Sequence, residues 1–150
     1  MDRKYQDVPE ETLMADIWNY TAPVYSRVML YAYMHSLDWK AARGKDPEVY
    51  VRENYRQVDL GTRTGKTTAI KDFCDQHDGC VVICQTVEYA NNLRRRHNLR
   101  AFAVEEMMKF KCDRFDGSDP MFIFDDVSCR NVLEAMARHK PRRFVHVGMG

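Results

Sequence analysis

Eight consecutive residues, Gly61, Thr62, Arg63, Thr64, Gly65, Lys66, Thr67 and Thr68, combine backbone freedom, a lysine and a run of hydroxyls. Glycines let main-chain N–H groups come close to an anion, and a loop of this kind opening into a helix aims the first-turn N–H groups at the same point. A triphosphate uses all of these features at once. All eight residues are therefore candidate nucleotide ligands, with Lys66 reaching the β and γ phosphates and the Thr67 hydroxyl on Mg²⁺. The full spacing G-x-x-x-x-G-K would need glycine at position 60, where the chain has Leu60, so a plain glycine turn before a helix is the competing reading.

A second group lies some sixty residues on. Met121, Phe122, Ile123 and Phe124 form an apolar run that ends in Asp125 and Asp126. Two adjacent carboxylates at the end of a buried strand repel each other unless a cation or a polar partner is close. Asp125 is the candidate to hold magnesium beside the phosphate loop. The alternative is a helix cap, since Asp126 and Ser128 precede a helical segment.

The elements that must position these groups follow from hydrophobic spacing. Pro9, Glu10 and Glu11 suit a first helical turn, and Leu13, Ile17, Met14 and Trp18 recur at helical spacing. A second, largely buried helix is predicted from Pro23 to about Trp39. A short third one begins at Asp46-Pro47-Glu48 and runs to about Tyr55. From there short apolar runs alternate with helical segments: strands at 56–60, 80–84, 101–104, 121–124 and 144–147, helices at about 66–76, 87–97 and 130–139. The run Cys80-Val81-Val82-Ile83-Cys84 is of the kind buried on both faces of a parallel sheet. The predicted fold class is α/β, a mostly parallel sheet flanked by helices with a helical N-terminal extension. Residues 1–54 form that extension and 55–150 the core, one compact unit. Residues 111–120 read as the clearest loop.

Composition narrows the partners. With 150 residues, 45% hydrophobic and 30% charged, the chain has globular composition, and its net charge of +1 provides no global field for nucleic acid. Local clusters remain: Arg94, Arg95, Arg96, His97 and Arg100, and Arg138, His139, Lys140, Arg142 and Arg143. They fit phosphate contacts of a nucleic acid, and equally the cationic ends that complement helix dipoles. The five cysteines contain no CxxC pair and read as reduced thiols. His146, flanked by Val145 and Val147, reads as a core histidine, and the other histidines are too scattered for a ligand set. Without a secretory h-region or a long apolar span, the chain reads as a soluble protein of the cytoplasm, the host cytoplasm if viral, with no membrane partner.

Taken in order, Gly61 to Thr68, Val82 to Ala90, Phe122 to Asp126 and Phe144 to Gly148 resemble motifs I, Ia, II and III of the P-loop ATPases of helicases and viral large-terminase packaging motors. The resemblance covers about residues 55–148. It implies ATP and Mg²⁺ as ligands, and hydrolysis coupled to nucleic-acid processing or DNA packaging. Those enzymes carry a glutamate right after the motif II aspartate, here Asp125, to orient the attacking water; Asp126 holds that place, so Lys66 and Asp126 are the catalytic candidates. Arg63 would contact the γ-phosphate, and His146 would stand in the region where those ATPases keep a polar sensor. A motor domain alone would take its arginine finger from a second copy or a partner protein, with Arg94, Arg95, Arg96, Arg142 and Arg143 as candidates. The alternative is a nucleotide-binding regulatory or scaffold protein without turnover.

Overall fold

The computed structural model describes residues 10–61, 64–109 and 119–150, with side chains from Asn19 onward. The elements run α1 (Glu10–Met34), α2 (Pro47–Glu53), β1 (Gln57–Val58), α3 (Lys66–Gln76), β2 (Cys80–Cys84), α4 (Val87–His97), β3 (Ala101–Ala103), α5 (Val104–Lys109), β4 (Met121–Asp125), α6 (Cys129–His139) and β5 (Arg143–Val147). The strands form one sheet in the order β1-β5-β4-β2-β3, and every pairing is parallel. Parallel neighbours need crossover connections, and the intervening helices supply them.

Side-chain alternation along the strands divides the core in two. Val82, Cys84, Met121, Ile123, Val145 and Val147 face a layer containing Tyr25 and Met29 of α1, Ile70 and Phe73 of α3, and Leu93 of α4. Val81, Ile83, Phe122, Phe124 and Phe144 face the opposite layer, with Tyr50 and Val51 of α2, Met107 of α5, and Val132 and Met136 of α6. The N-terminal helices thus cover the sheet on both sides, α1 against α3 and β5 and α2 against α6.

The two helices expected before residue 40 are one. α1 passes through Pro23, which removes a backbone donor and ordinarily costs about 3 kcal/mol inside a helix. Tyr25, Met29 and Ala32, spaced at helical intervals, are fully buried against the sheet. Burying side chains the size of Tyr25 and Met29 contributes roughly 1.5–3 kcal/mol each, enough to hold the helix through the proline. The helix stops at Met34, short of Trp39, whose indole instead donates to Pro141 O at 2.8 Å. α5 is an element that periodicity does not reveal, because its six residues are too few to establish a period. Of the loop expected at 111–120, residues 111–118 lie outside the described residues. No helix among the described residues is long and apolar enough to cross a membrane.

Candidate functional site

The carboxyl ends of β1, β4 and β5 meet at the first turn of α3. Gly61 and Gly65 both take positive φ, +90° and +79°, conformations that side-chain-bearing residues rarely adopt. Gly65 is the N-cap of α3 and offers no side-chain acceptor, so the first N–H groups of that helix are left for another partner. Between the glycines Thr64 is buried. Its hydroxyl meets the Tyr25 hydroxyl at 2.7 Å and donates to Gly61 O at 3.1 Å. Thr62 and Arg63 lie outside the described residues.

Lys66 opens α3 and turns its ammonium between the two aspartates. Its Nζ lies 3.0 Å from Asp125 Oδ1 and also bonds Asp126 Oδ2. The Asp125 side chain is fully buried while that of Asp126 is 43% exposed. Burial pushes the Asp125 carboxyl up, and the charge of Lys66 works against that. For Lys66 burial lowers the pKa, but the two carboxylates outweigh it and hold the ammonium above its ordinary value. Asp125 Oδ2 accepts from the Tyr89 hydroxyl at 3.1 Å, whereas its buried Oδ1 faces the Lys66 ammonium at 3.0 Å.

Asp126 takes positive φ, 54°, directly after the strand. Its N–H donates to Val147 O at 2.9 Å and its Oδ1 accepts from Met149 N–H at 2.8 Å. The cap of α6 is Ser128, whose Oγ accepts from Asn131 N–H, so the capping reading fails for Asp126. Gly148 is the close neighbour: a Cβ on it would overlap Asp126 Oδ1 and lie 2.7 Å from Lys66 Nζ.

A cavity of about 320 Å³ opens above this group, lined by Gly61, Thr64, Gly65, Lys66, Thr67, Thr68, Tyr89 and Asp126 with Asp59 and Met149. Every described residue of the glycine loop singled out in the sequence lines it. Asp125 sits beneath as a buried partner of Lys66. Tyr89, Gly148 and Tyr25 are the site residues that sequence reasoning missed. Tyr89 and Gly148 fall inside the segments resembling motifs Ia and III, but what brings them to the aspartates is the strand order β5-β4-β2, which the sequence does not state.

The basic clusters divide. Arg94 is tied down by Ala101 O, Asn91 Oδ1 and Glu106, with its guanidinium over the Phe102 ring. Arg143 lies over the Tyr33 ring and donates to Asp119 O. Arg95 and Arg96, with Glu88 and Asn92, line a second hollow of about 500 Å³ along α4, which shares Tyr89 with the first. His146 is fully buried on the strand face opposite α3, and His139 is buried with Nε2 on Met107 O. Among the described residues no three His, Cys, Asp or Glu side chains gather as a metal cluster, and Cys74, Cys80, Cys84 and Cys129 are free thiols.

Comparison with protein-family models, with curated proteins and with solved structures gives no match.

Proposed function

We propose that this cavity binds a nucleoside triphosphate with magnesium, and that the protein is a P-loop NTPase of the kind its motifs resemble. The observation that carries the reading is Lys66 at the uncapped start of α3, clasped by Asp125 and Asp126 from the neighbouring strand end. One ammonium against two carboxylates leaves negative charge in excess, and a helix start with free N–H groups attracts negative charge to the same point. A magnesium polyphosphate resolves both: phosphate oxygens take Lys66 and the N–H groups, and the cation takes the carboxylate side.

The residues fit the metal. Asp125 offers a fully buried Oδ1 whose near partner is the Lys66 ammonium at 3.0 Å, and Thr67 lines the cavity with a hydroxyl-bearing side chain, both hard oxygen donors. When bound, magnesium would neutralise charge developing on the phosphates. Lys66 holds the β and γ phosphates, the positive-φ glycines admit them to the backbone, and Asp126, more exposed than Asp125, is the group that can reach a water. The strand order supports the reading too, since β5 separates the strand before the glycine loop from the strand bearing the aspartates, as the resembling ATPases require. ATP as the nucleotide, and nucleic-acid work or packaging as the setting, come from the resemblance. Of the basic clusters, Arg95 and Arg96 line an open hollow, and Arg100, Arg138, Lys140 and Arg142 are also exposed.

Titrating a fluorescent ATP analogue with and without magnesium tests the reading. The parent binds and Lys66→Ala does not, with the thermal transition retained. Equal binding by both proteins, or none by the parent, defeats it. Phosphate release with and without DNA or RNA then separates an ATPase from a nucleotide-binding scaffold.

A further inference from the structure

A directed chain of hydrogen bonds runs behind the site on the opposite face of β5. Cys129 Sγ donates to the Tyr55 hydroxyl at 3.4 Å, the Tyr55 hydroxyl meets His146 Nδ1, and His146 Nε2 lies 3.2 Å from Met149 O. Met149 N–H in turn donates to Asp126 Oδ1 at 2.8 Å. A carbonyl oxygen only accepts, so Nε2 carries a proton. Burial disfavours a second proton on His146, against the pull of the Met149 and Val127 carbonyls, and the neutral ring with Nε2–H presents Nδ1 as the acceptor of the Tyr55 proton. Burial also holds Tyr55 as the phenol, with its single proton committed to the imidazole.

The turn at Gly148 and Met149 is therefore held at both ends. Upstream, Gly148 N–H donates to Val58 O at 2.7 Å and Gln57 Nε2 donates to Gly148 O at 3.0 Å. Downstream, His146 holds Met149 O, and the packing is tight enough that a Cβ at Gly150 would overlap the imidazole Cε1. Between these two anchors the Met149 N–H is aimed at Asp126. We propose that His146, oriented by Tyr55, is a positioning residue for Asp126: it fixes the Met149 peptide whose N–H seats the carboxylate beside Lys66. This rests on the nucleotide reading above only for its kinetic consequence; the mechanical coupling stands without it.

His146→Ala should free the downstream anchor while leaving Lys66, Asp125 and the loop glycines untouched. Phosphate release by His146→Ala is expected to lose roughly 10- to 100-fold in kcat, the usual effect of removing a supporting hydrogen-bond partner, with KM within about twofold. His146→Gln presents an acceptor and a donor side by side and should recover part of the loss. Tyr55→Phe, which keeps the ring against Phe144, should fall between parent and His146→Ala. Hydrogen exchange at the Met149 amide supplies the second readout, expected to speed up roughly tenfold in His146→Ala with other site amides unchanged. Unchanged Met149 exchange overturns the proposal, as does a His146→Gln protein no better than His146→Ala in both readouts. If the parent binds no nucleotide, the function reading fails by itself, and Met149 exchange still decides the role of His146.

Discussion

The hydroxyl of Tyr25, on α1, sits 2.7 Å from Thr64 Oγ1 inside the glycine loop and accepts from Leu60 N–H at 3.2 Å. Thr21, one turn earlier, donates to Thr64 O at 2.6 Å. The N-terminal helix thus grips the phosphate-loop candidate on both sides of its centre. Since the Tyr25 ring is fully buried, Tyr25→Phe keeps the packing and removes only the polar grip. Nucleotide affinity should fall about fivefold for roughly 1 kcal/mol of lost hydrogen bonding, with little change in Tm. Calorimetric titration beside a melting curve checks it, and a large drop in Tm at unchanged affinity would make Tyr25 a fold residue alone.

Gly148→Ala tests how closely the two strand ends must approach. Its Cβ would overlap Asp126 Oδ1 and crowd Lys66 Nζ, on a backbone at φ +89° that already disfavours a side chain. The carboxylate must swing away, and an error of about 1 Å in a reacting group costs on the order of 10²-fold in rate. Nucleotide binding should weaken less than turnover does. Parental turnover in this variant would mean Asp126 is not held where the reaction needs it.

Asp125 and Tyr89 should act together on the metal. Asp125→Asn removes the charge at the buried carboxylate, and Tyr89→Phe removes the hydroxyl that donates to its Oδ2. Each is expected to raise the magnesium concentration needed for nucleotide binding about 10-fold or more, Asp125→Asn the more strongly, since ligand and supporting hydrogen bond both count. Binding titrated against magnesium reads this directly. Identical magnesium dependence in Asp125→Asn and parent leaves that aspartate a structural partner of Lys66.

The parts legible in sequence were those with local causes. β2, α3 and α4 keep the boundaries that β-branched runs, a glycine opening and helical spacing predict. β1 is two residues long where five were expected, because an edge strand pairs only as far as β5 runs beside it. Pro23 misled by a local rule that tertiary burial overrides, as Tyr25 and Met29 demonstrate. Lys66, Asp125 and Asp126 were readable from their types and their neighbours. Tyr89, Gly148 and the Tyr25 clamp were not, since each reaches the site only through the strand order or through a helix packing on the sheet more than thirty residues away in sequence.

Asp126 carries the last prediction, because both its oxygens are already engaged, Oδ1 by Met149 N–H and Oδ2 by Lys66. If phosphate takes Lys66, Oδ2 is released while Met149 keeps the carboxylate oriented, and the freed oxygen is the one that can accept a proton from water. Asp126→Asn retains an acceptor for Met149 N–H and loses the basic oxygen, whereas Asp126→Ala loses both. Both variants should bind nucleotide near parental strength and hydrolyse it roughly 10²- to 10⁴-fold more slowly, the range for a lost general base. Asp126→Ala should also free the Met149 amide to exchange, which Asp126→Asn should not. Turnover should rise more than linearly with protein concentration if a second copy supplies an arginine, an element worth roughly 10³ to 10⁵ in rate where it is used. Arg95, Arg96 and Arg142 are the candidates with exposed side chains, since Arg94 and Arg143 are committed to internal partners. A parent that binds ATP tightly and releases no phosphate at any concentration, with or without nucleic acid, leaves Asp126 as a partner of Lys66 and the protein as a binding module.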